Sequence, residues 1–263
     1  MTLPEVSGLW IGSNLSKIEQ LCIRSFQDHG HRFVLYVYDA LDNVPPGTDV
    51  RDASELIPTS EMNEFKQQGT LAGFSDWFRW TLLHRHGGYW VDMDMVCLAP
   101  FDFTAEIVFG YQQDNIPNQA VLRFPPNHPA VAELIDRSIN PHSARPEDPL
   151  RRRVKKAMRR MAGASRAKIA WADGGGPIGF RHVATRRDLL KHGLPFTVFY
   201  PIHNTQFWSM FDDTLARDET LFAATRAVHL WNEVGHQYFK WDKNASFHPD
   251  SLIERLKRQH GVA

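Results

Sequence analysis

The first forty residues predict a strand, a helix and a second strand, and this order restricts the chain to few folds. The segment "SGLWIGSNLSKIEQLCIRSFQDHGHRFVLYVYD" predicts a short strand ending near Gly12, a helix over 15–28 and a strand over 32–38. One face of the helix is apolar and carries Leu15, Ile18, Leu21, Cys22 and Phe26. Strand, helix and strand in quick succession form a βαβ unit, which starts a parallel sheet. The sequence therefore predicts an α/β fold.

The rest of the chain predicts further helices and strands around this start. A polar stretch over 41–69 holds one short helix, and the next helix, over 71–85, stops at Gly87 and Gly88. Short strands are predicted over 106–112, 119–124 and 196–200. Helices are predicted over 129–139, 150–161, 180–191 and 251–259. No internal repeat is present in the sequence.

Charge and cysteine content exclude some classes of function. Lys plus Arg and Asp plus Glu number 30 each, so the chain as a whole does not attract polyanions, and no nucleic-acid partner is expected. Cys22 and Cys97 lie far apart in apolar segments, which indicates reduced core thiols rather than a disulfide. The N-terminus has no basic, then apolar, leader pattern, and no long uncharged run follows. A cytoplasmic protein is expected.

Two aspartates interrupt an apolar strand in "YWVDMDMVCL". In extended chain the side chains of Asp92 and Asp94 point to the same face, and two adjacent carboxylates repel each other unless a cation lies between them. Carboxylate oxygens favour Mg²⁺ or Mn²⁺, which keep open positions for substrate phosphates. The alternative is a solvated strand end. On the preceding helix, Asp76 and Arg79 form either an ordinary surface ion pair or an acceptor and a donor for polyhydroxyl groups and phosphate.

These residues together resemble a known family. Asp76, Arg79, the segment Gly87-Gly88-Tyr89 and the pair Asp92 and Asp94 are similar to the D-x-x-R and D-x-D signature of retaining glycosyltransferases. That group includes yeast mannosyltransferases, α1,4-galactosyltransferases and the catalytic regions of clostridial glucosylating toxins. The N-terminal segment and "AVHLWN" extend the resemblance over most of the chain, whereas "GGGPIGF" is richer in glycine than the family's block.

The resemblance implies a fold and a reaction. The fold would be a GT-A type nucleotide-diphospho-sugar transferase fold with a mixed central sheet flanked by helices. Residues 1–263 would form one domain, with the nucleotide-sugar part over 1–125 and the acceptor part over 126–263. The enzyme would move a hexose, with retention, from a UDP-sugar or GDP-sugar, UDP being favoured, to a glycan, a lipid-linked saccharide or a protein. Mn²⁺ or Mg²⁺ would bind across the diphosphate.

The resemblance also implies roles for single residues. Asp92 would face the ribose and the metal, Asp94 would ligate the metal, and Asp76 and Arg79 would hold the donor sugar. Trp10, Ile11 and Tyr38 would form the base and ribose pocket, Trp231 would contact the donor, and His229 would complete the metal site. Without the family context, His229 is equally well explained as a core histidine.

Two other segments have alternative explanations. "GGGPIG", residues 174–179, could cradle a phosphate with backbone N–H groups or form a plain tight turn. "LRRRVKKAMRRM", residues 150–161, predicts a basic amphipathic helix with Leu150, Val154, Met158 and Met161 in one stripe. Arg151, Arg152, Lys155 and Arg159 lie beside the stripe. The helix is either a solvated face or a contact with an anionic acceptor or an anionic lipid, the latter at the inner face of the cell membrane.

Two rival functions remain open at this point. "YWVDMDMVCL" also resembles the nucleophile strand of haloacid-dehalogenase-type phosphatases, in which Asp92 would attack phosphate and Asp94 would act as acid and base. Asp212 and Asp213 could supply that family's downstream acidic pair. The phosphatase motif normally opens its domain, however, and here about ninety residues precede it. A sugar-binding module without catalysis is the other rival.

Overall fold

The computed structural model describes residues 3–68, 71–113, 115–168, 174–216 and 220–262. The chain divides into two compact units. The first unit contains Met1–Asp52, Tyr89–Leu122 and Leu194–Ala263, and the second contains Ala53–Gly88 and Arg123–Gly193. The functional division at residue 125 stays a prediction.

The helices and strands follow in chain order. The strands are β1 (Val6–Trp10), β2 (Phe33–Val37), β3 (Asp49–Asp52), β4 (Tyr89–Val91), β5 (Met95–Cys97), β6 (Val108–Gln113), β7 (Ile116–Arg123), β8 (Gly193–Leu194) and β9 (Ala227–His229). The helices are α1 (Lys17–Asp28), α2 (Thr59–Gln67), α3 (Leu71–His86), α4 (Pro129–Ile139), α5 (Leu150–Met161), α6 (Pro177–Arg186), α7 (Phe196–Phe199), α8 (Asn232–Val234) and α9 (Leu252–Gln259). Short 3₁₀ turns lie at Ala53–Glu55, Leu190–His192 and Asn204–Met210, and a π-helical turn lies at Gly235–Phe239.

A parallel βαβ unit begins the first unit, as predicted. β1 pairs in parallel with β2 on one side and with β4 on the other, and β2 pairs in parallel with β3. Ser16 caps the start of α1, and its hydroxyl and the Glu19 carboxylate complete a reciprocal capping box. Among the described residues, seven strands join in the order β3-β2-β1-β4-β7-β6-β8. The predicted α/β fold with a mixed central sheet flanked by helices is confirmed.

Among the described residues, β3, β8 and β9 were not predicted as strands, and one predicted strand is wrong. β3 lies in the stretch over 41–69 for which only a short helix was predicted, because its sequence "DVRD" is polar and half exposed at the sheet edge. Residues 196–200 have the bulk of a strand but form α7. Pro195 precedes that helix, and Phe199 and Tyr200 pack so closely on Gly110 that a Cβ there would lie 2.8 Å from both rings.

The second unit is helical. Its described core contains the aromatic side chains of Phe65, Phe74, Trp77, Trp80, Phe124 and Phe180. The predicted helices over 129–139 and 150–161 are confirmed as α4 and α5. The helix predicted over 180–191 begins earlier, at Pro177, and ends at Arg186, because Gly176 and Pro177 form its start.

Both cysteines are free, buried thiols, as predicted from their apolar surroundings. Burial raises the pKa of Cys22 well above its ordinary value and raises the pKa of Cys97 to about 12. Both groups are therefore unreactive at neutral pH. Within the described residues, none of the helices combines the length and the apolar composition that a membrane span needs.

Candidate active site

The two aspartates lie in a turn rather than in extended strand. β4 ends at Val91, and the backbone N–H of Met95 donates to the carbonyl of Asp92 at 3.0 Å, which closes a β-turn. The extended backbone expected over the two aspartates is therefore wrong, whereas their carboxylates lie close together, as expected. The chain must change direction here, because β4 pairs with β1 in the central sheet whereas β5 pairs with β9. Met93, at the turn, is buried against Gly8, where a Cβ would lie 2.6 Å from its sulfur.

Asp92 is oriented by a tryptophan on its own strand. The indole Nε1–H of Trp90 donates to Oδ1 of Asp92 at 2.8 Å, and the Asp92 backbone N–H donates to the carbonyl of Ala120 on β7 at 2.8 Å. Two hydrogen bonds from separate strands therefore fix the residue at the end of β4. Its side chain is only partly buried, so solvent or a ligand can reach the carboxylate.

Asp94 is buried and accepts two contacts. Its Oδ2 accepts a hydrogen bond from the backbone N–H of Asn232 at 2.8 Å and lies 3.3 Å from Nε2 of His229. Burial opposes ionisation of this carboxyl group, but His229 and the Asn232 N–H outweigh it and lower the pKa of Asp94 below its ordinary value. Asp94 is therefore an anion even though it is shielded from water.

The third member of the group is His229. Antiparallel pairing of β5 and β9 sets Met95 opposite His229, and this pairing brings the imidazole to Asp94. The ring packs edge-on against Tyr200 and lies with its centroid 4.2 Å from that of Trp231. Within the described residues, the buried Nδ1 of His229 has no hydrogen-bond partner. The other ring nitrogen, Nε2, faces Asp94 and is the one placed to bind an ion beside that carboxylate.

Asp92, Asp94 and His229 together have the composition of a site for a divalent cation. One ligand atom from each side chain lies within 4.8 Å of the other two. Two oxygens on opposite sides of one Mg²⁺ are about 4.2 Å apart, since each bond is about 2.1 Å long, so small side-chain rotations suffice to bring the three groups to one ion. Two carboxylates and one imidazole are a donor set that Mn²⁺ and Mg²⁺ accept. The residues present therefore fit the predicted metal.

Three further predicted residues lie at or just beyond the carboxyl ends of the parallel strands. β1 ends at Trp10 and is followed by Ile11, and β2 ends one residue before Tyr38. All three side chains are half-buried. Trp10 donates its indole N–H to the carbonyl of Asn14 at 3.1 Å, and the ammonium group of Lys243 lies 5.1 Å from its ring centroid. Burial, and then the charge of Asp52, raise the pKa of Tyr38, so it stays a neutral phenol.

Trp231 has a strained backbone beside this group. Its φ of 51° places a bulky residue in the left-handed region, which costs on the order of 1–3 kcal/mol and persists only when surrounding contacts hold it. Its indole N–H donates to the carbonyl of Ile202 at 2.8 Å, and the side chain is buried under His229. The structure thus gives Trp231 a role in positioning His229, and its predicted contact with the donor stays a prediction.

Asp76 and Arg79 lie in the second unit on α3. The two side chains pair at 3.4 Å, and the guanidinium also donates to the hydroxyl and the carbonyl of Ser75. Both residues are buried, so the alternative of an ordinary surface ion pair is wrong. A buried pair carries a large desolvation cost, which is a reason to look for a role beyond stability.

The remaining candidates have structural explanations. Gly174–Gly176 is buried, and the carbonyl of Gly175 accepts from the Trp80 indole at 2.7 Å. A Cβ at Gly175 would collide with Ser138, and one at Gly179 would collide with the carbonyl of Gly174. Close packing therefore accounts for glycine at 175 and 179. Asp212 accepts from the backbone of Thr214 in a local turn. In the described parts of the chain, the acid and histidine groups that cluster with metal-ligand spacing are Asp92, Asp94 and His229.

No protein-family model matches the chain, and no curated protein matches it in sequence. Solved structures do match. The UDP-bound glycosyltransferase domain from the YGT toxin is 11% identical, with a TM-score of 0.50, over 74% of this chain and 79% of that one. This chain has a glycosyltransferase GT-A type fold. The ligand-free form of the same toxin domain gives 11% identity and a TM-score of 0.49 over 74% and 80% of the two chains. PaToxG glycosyltransferase is 13% identical, with a TM-score of 0.46, over 98% of this chain and 86% of that one.

Two residues of the site were not predicted from sequence. The first is Trp90, which orients Asp92. Residues two apart in a strand lie on one face, and this alternation is the signal that could have identified Trp90. Tyr200 lies edge-on to His229 through α7, a segment that was predicted as a strand. Sequence spacing carried no signal for that contact.

Proposed function

We propose that this chain is a metal-dependent glycosyltransferase that transfers a hexose from a nucleotide-diphosphate sugar to an acceptor. The observation that carries the proposal is the convergence of Asp92, Asp94 and His229 beside the central sheet, at the end of β4. In open α/β sheets, ligands bind outside the carboxyl ends of the strands. Trp10, Ile11 and Tyr38 occupy the corresponding ends of β1 and β2, where a base and ribose would be held.

The protein's own groups explain why a diphosphate donor suits this site. Asp94 is an anion in a shielded position, and Asp92 is a more open carboxylate held by Trp90. Two carboxylates alone would repel a diphosphate, so this arrangement favours a donor that arrives with a divalent cation. A bound Mn²⁺ or Mg²⁺ would supply charge neutralisation to the departing diphosphate. Nε2 of His229, the ring nitrogen that lies 3.3 Å from Asp94, would be the nitrogen that holds the ion.

The donor and the acceptor follow from different considerations. We favour UDP-sugar over GDP-sugar because one structure of the same fold contains UDP. Asp76 and Arg79 would hold the sugar hydroxyls and phosphate, as an acceptor and a planar donor group. The acceptor would be a glycan, a lipid-linked saccharide or a protein. Retention at the anomeric carbon is proposed with front-face attack, in which the leaving phosphate takes the acceptor proton.

A direct assay tests the proposal. The purified chain is incubated with Mn²⁺ or Mg²⁺ and a panel of UDP-sugars and GDP-sugars, and release of nucleoside diphosphate is followed. We expect slow donor hydrolysis by water with one or two sugars, dependent on the ion and abolished by EDTA. NMR of the freshly released sugar reports its anomeric configuration, and the α-anomer from an α-linked donor supports retention.

Two results would redirect the assignment. Hydrolysis of p-nitrophenyl phosphate, with no use of sugar nucleotides, would support the phosphatase in which Asp92 is the nucleophile. Saturable binding of a saccharide without turnover of any donor would support a sugar-binding module.

A further inference from the structure

The basic helix α5, which the proposed catalytic activity does not use, has an unusual orientation. A surface helix normally buries its apolar stripe and exposes its charges. In α5 the apolar stripe faces outward: Leu150 is 76% exposed, Val154 51%, Met158 63% and Met161 84%. At 100° per residue these four side chains fall within an arc of about 80°.

A buried ion pair fixes this orientation. Lys156, on the opposite side of α5, pairs with Asp148 at 2.7 Å, and each side chain is only 2% exposed. Asp148 also accepts a hydrogen bond from the backbone N–H of Arg145 and pairs with Arg152. Burial alone would raise the pKa of Asp148, but Lys156 and these two contacts outweigh it and lower that pKa. Rolling the helix to bury the stripe would separate the ion pair and leave a charge buried alone. The outward stripe is therefore built into the second unit.

Cations border the stripe on both sides. Arg151 and Lys155 are exposed along one edge, and Arg153 and Arg160 along the other. Leu150–Met161 contains no acidic residue, although acidic and basic residues are equal in number, 30 each, over the whole chain. An apolar stripe with a cationic border is the pattern of helices that lie in the interface of an anionic bilayer.

We infer that α5 docks on an anionic lipid surface, with Leu150, Val154, Met158 and Met161 entering the boundary between headgroups and acyl chains. The exposed cations on both edges then contact lipid phosphates and carboxylates. A soluble acidic protein would satisfy the cations but not four adjacent apolar side chains. A second copy of the chain would bring cationic borders together, and like charges would repel. The lipid surface complements both features.

Vesicle co-sedimentation tests the inference with the full chain. We expect binding to vesicles that contain phosphatidylserine and little binding to phosphatidylcholine alone. Binding should weaken between about 0.1 M and about 1 M salt, as the Debye length falls from about 10 Å to about 3 Å. The triple variant Arg151→Gln/Lys155→Gln/Arg160→Gln should bind at least about tenfold more weakly, since each cation near the surface contributes roughly a factor of five.

The apolar contribution has its own matched pair of variants. Val154→Ser removes an exposed valine from the stripe, and Val50→Ser removes one of similar exposure, 45%, from β3. Only Val154→Ser, and more strongly Leu150→Ser/Met158→Ser, should lower vesicle binding. These side chains are exposed, so folding, followed by circular dichroism and thermal unfolding, should be unchanged. Hydrolysis of a soluble donor should also persist in all of these variants, which separates failure of this inference from failure of the proposed function.

A labelled residue reports insertion directly. Cys22 and Cys97 are buried thiols with raised pKa values, so a new cysteine in Met158→Cys can be labelled selectively with an environment-sensitive dye. Its emission should shift to the blue with anionic vesicles, whereas the same dye at Val50→Cys should not respond. Absence of sedimentation at low salt, equal binding by the stripe variants, or a dimer in solution that these variants dissociate would each overturn the inference.

Discussion

Nε2 of His229 lies 3.3 Å from Oδ2 of Asp94, and the pairing of β5 with β9 produces this approach. The second contact to the same oxygen, from the N–H of Asn232, comes from the residue after Trp231, whose left-handed backbone turns the chain there. Asp94 is thus held by a strand pair and by a strained turn. Such over-determined geometry is what a preorganised ligand site requires.

We predict that Asp94→Asn abolishes donor turnover and Mn²⁺ binding while leaving the fold intact. The amide oxygen can still accept from Asn232, but the charge that a metal needs is lost. Metal affinity should fall by more than about a hundredfold, since residues that merely support ligands already contribute about 10–100-fold. Titration calorimetry with Mn²⁺ and UDP measures the effect.

The matched control is Asp102→Asn. Asp102 lies in the same unit, carries the same charge and pairs at the surface with Arg226. It stands outside the cluster, so turnover and Mn²⁺ affinity should be unchanged. Loss of activity in Asp102→Asn, or retention in Asp94→Asn, would contradict the metal assignment.

A second prediction concerns Asp76 and Arg79. Asp76→Ala and Arg79→Ala should lower kcat/KM for the sugar nucleotide but leave the affinity for free UDP with Mn²⁺ unchanged. Because the pair is buried, each single change also leaves one charge alone, at a cost of about 3–5 kcal/mol in stability. The double variant Asp76→Asn/Arg79→Met should restore part of that stability without restoring turnover. Equal loss of UDP affinity and of turnover would mean that the pair is structural.

The sequence predicted those parts of the molecule that depend on near neighbours. The order β1, α1, β2 was predicted from apolar periodicity alone, and the structure has the same order. The pair Asp92 and Asp94 was predicted as a metal site, but in extended chain. The turn was missed because the direction of the chain after Val91 depends on the pairing of β5 with the distant β9.

Long-range packing also explains the other differences. The stripe on α5 was predicted correctly as amphipathic, yet its outward orientation depends on the Lys156–Asp148 pair, which periodicity does not reveal. The glycines at 175 and 179 were ambiguous in sequence, because a phosphate cradle and a close helix approach both need a residue without a Cβ. Only the atoms packed around the two glycines, the Gly174 carbonyl and neighbouring side chains, distinguish a close helix approach from a phosphate cradle.

A third prediction concerns acid stability of the second unit. Nη1 of the fully buried Arg137 pairs with Glu147 at 2.6 Å. Burial would raise the pKa of Glu147, but the hydrogen bond and the charge of Arg137 outweigh this effect and lower the pKa to about 2. A lowered carboxyl pKa stabilises the fold above the unfolded value, 4.5, and that stability is lost as pH falls from about 4.5 to about 2.

Glu147→Gln should therefore lower the free energy of unfolding by about 2 kcal/mol at pH 7 and by much less near pH 2. Urea unfolding across this range measures the difference. The control Glu106→Gln removes an exposed carboxylate, and its effect on stability should be small at every pH. A pH-independent effect of Glu147→Gln would show that shape rather than charge is responsible.

The last prediction concerns Gly179, inside α6. In an open helix interior, Gly→Ala stabilises by roughly 0.5–1 kcal/mol, because glycine loses more backbone entropy on folding. At Gly179 a Cβ would meet the backbone carbonyl of Gly174, which cannot rotate away as a side chain would. Gly179→Ala should therefore destabilise the chain by about 1–3 kcal/mol, the usual cost of overpacking.

The control Gly163→Ala has no atom within 4 Å of the added methyl, and its cost should be only that of its φ of 61°, about 1 kcal/mol. Thermal unfolding of both variants decides between close packing and a phosphate cradle: a stable Gly179→Ala protein that had lost donor binding would indicate the cradle.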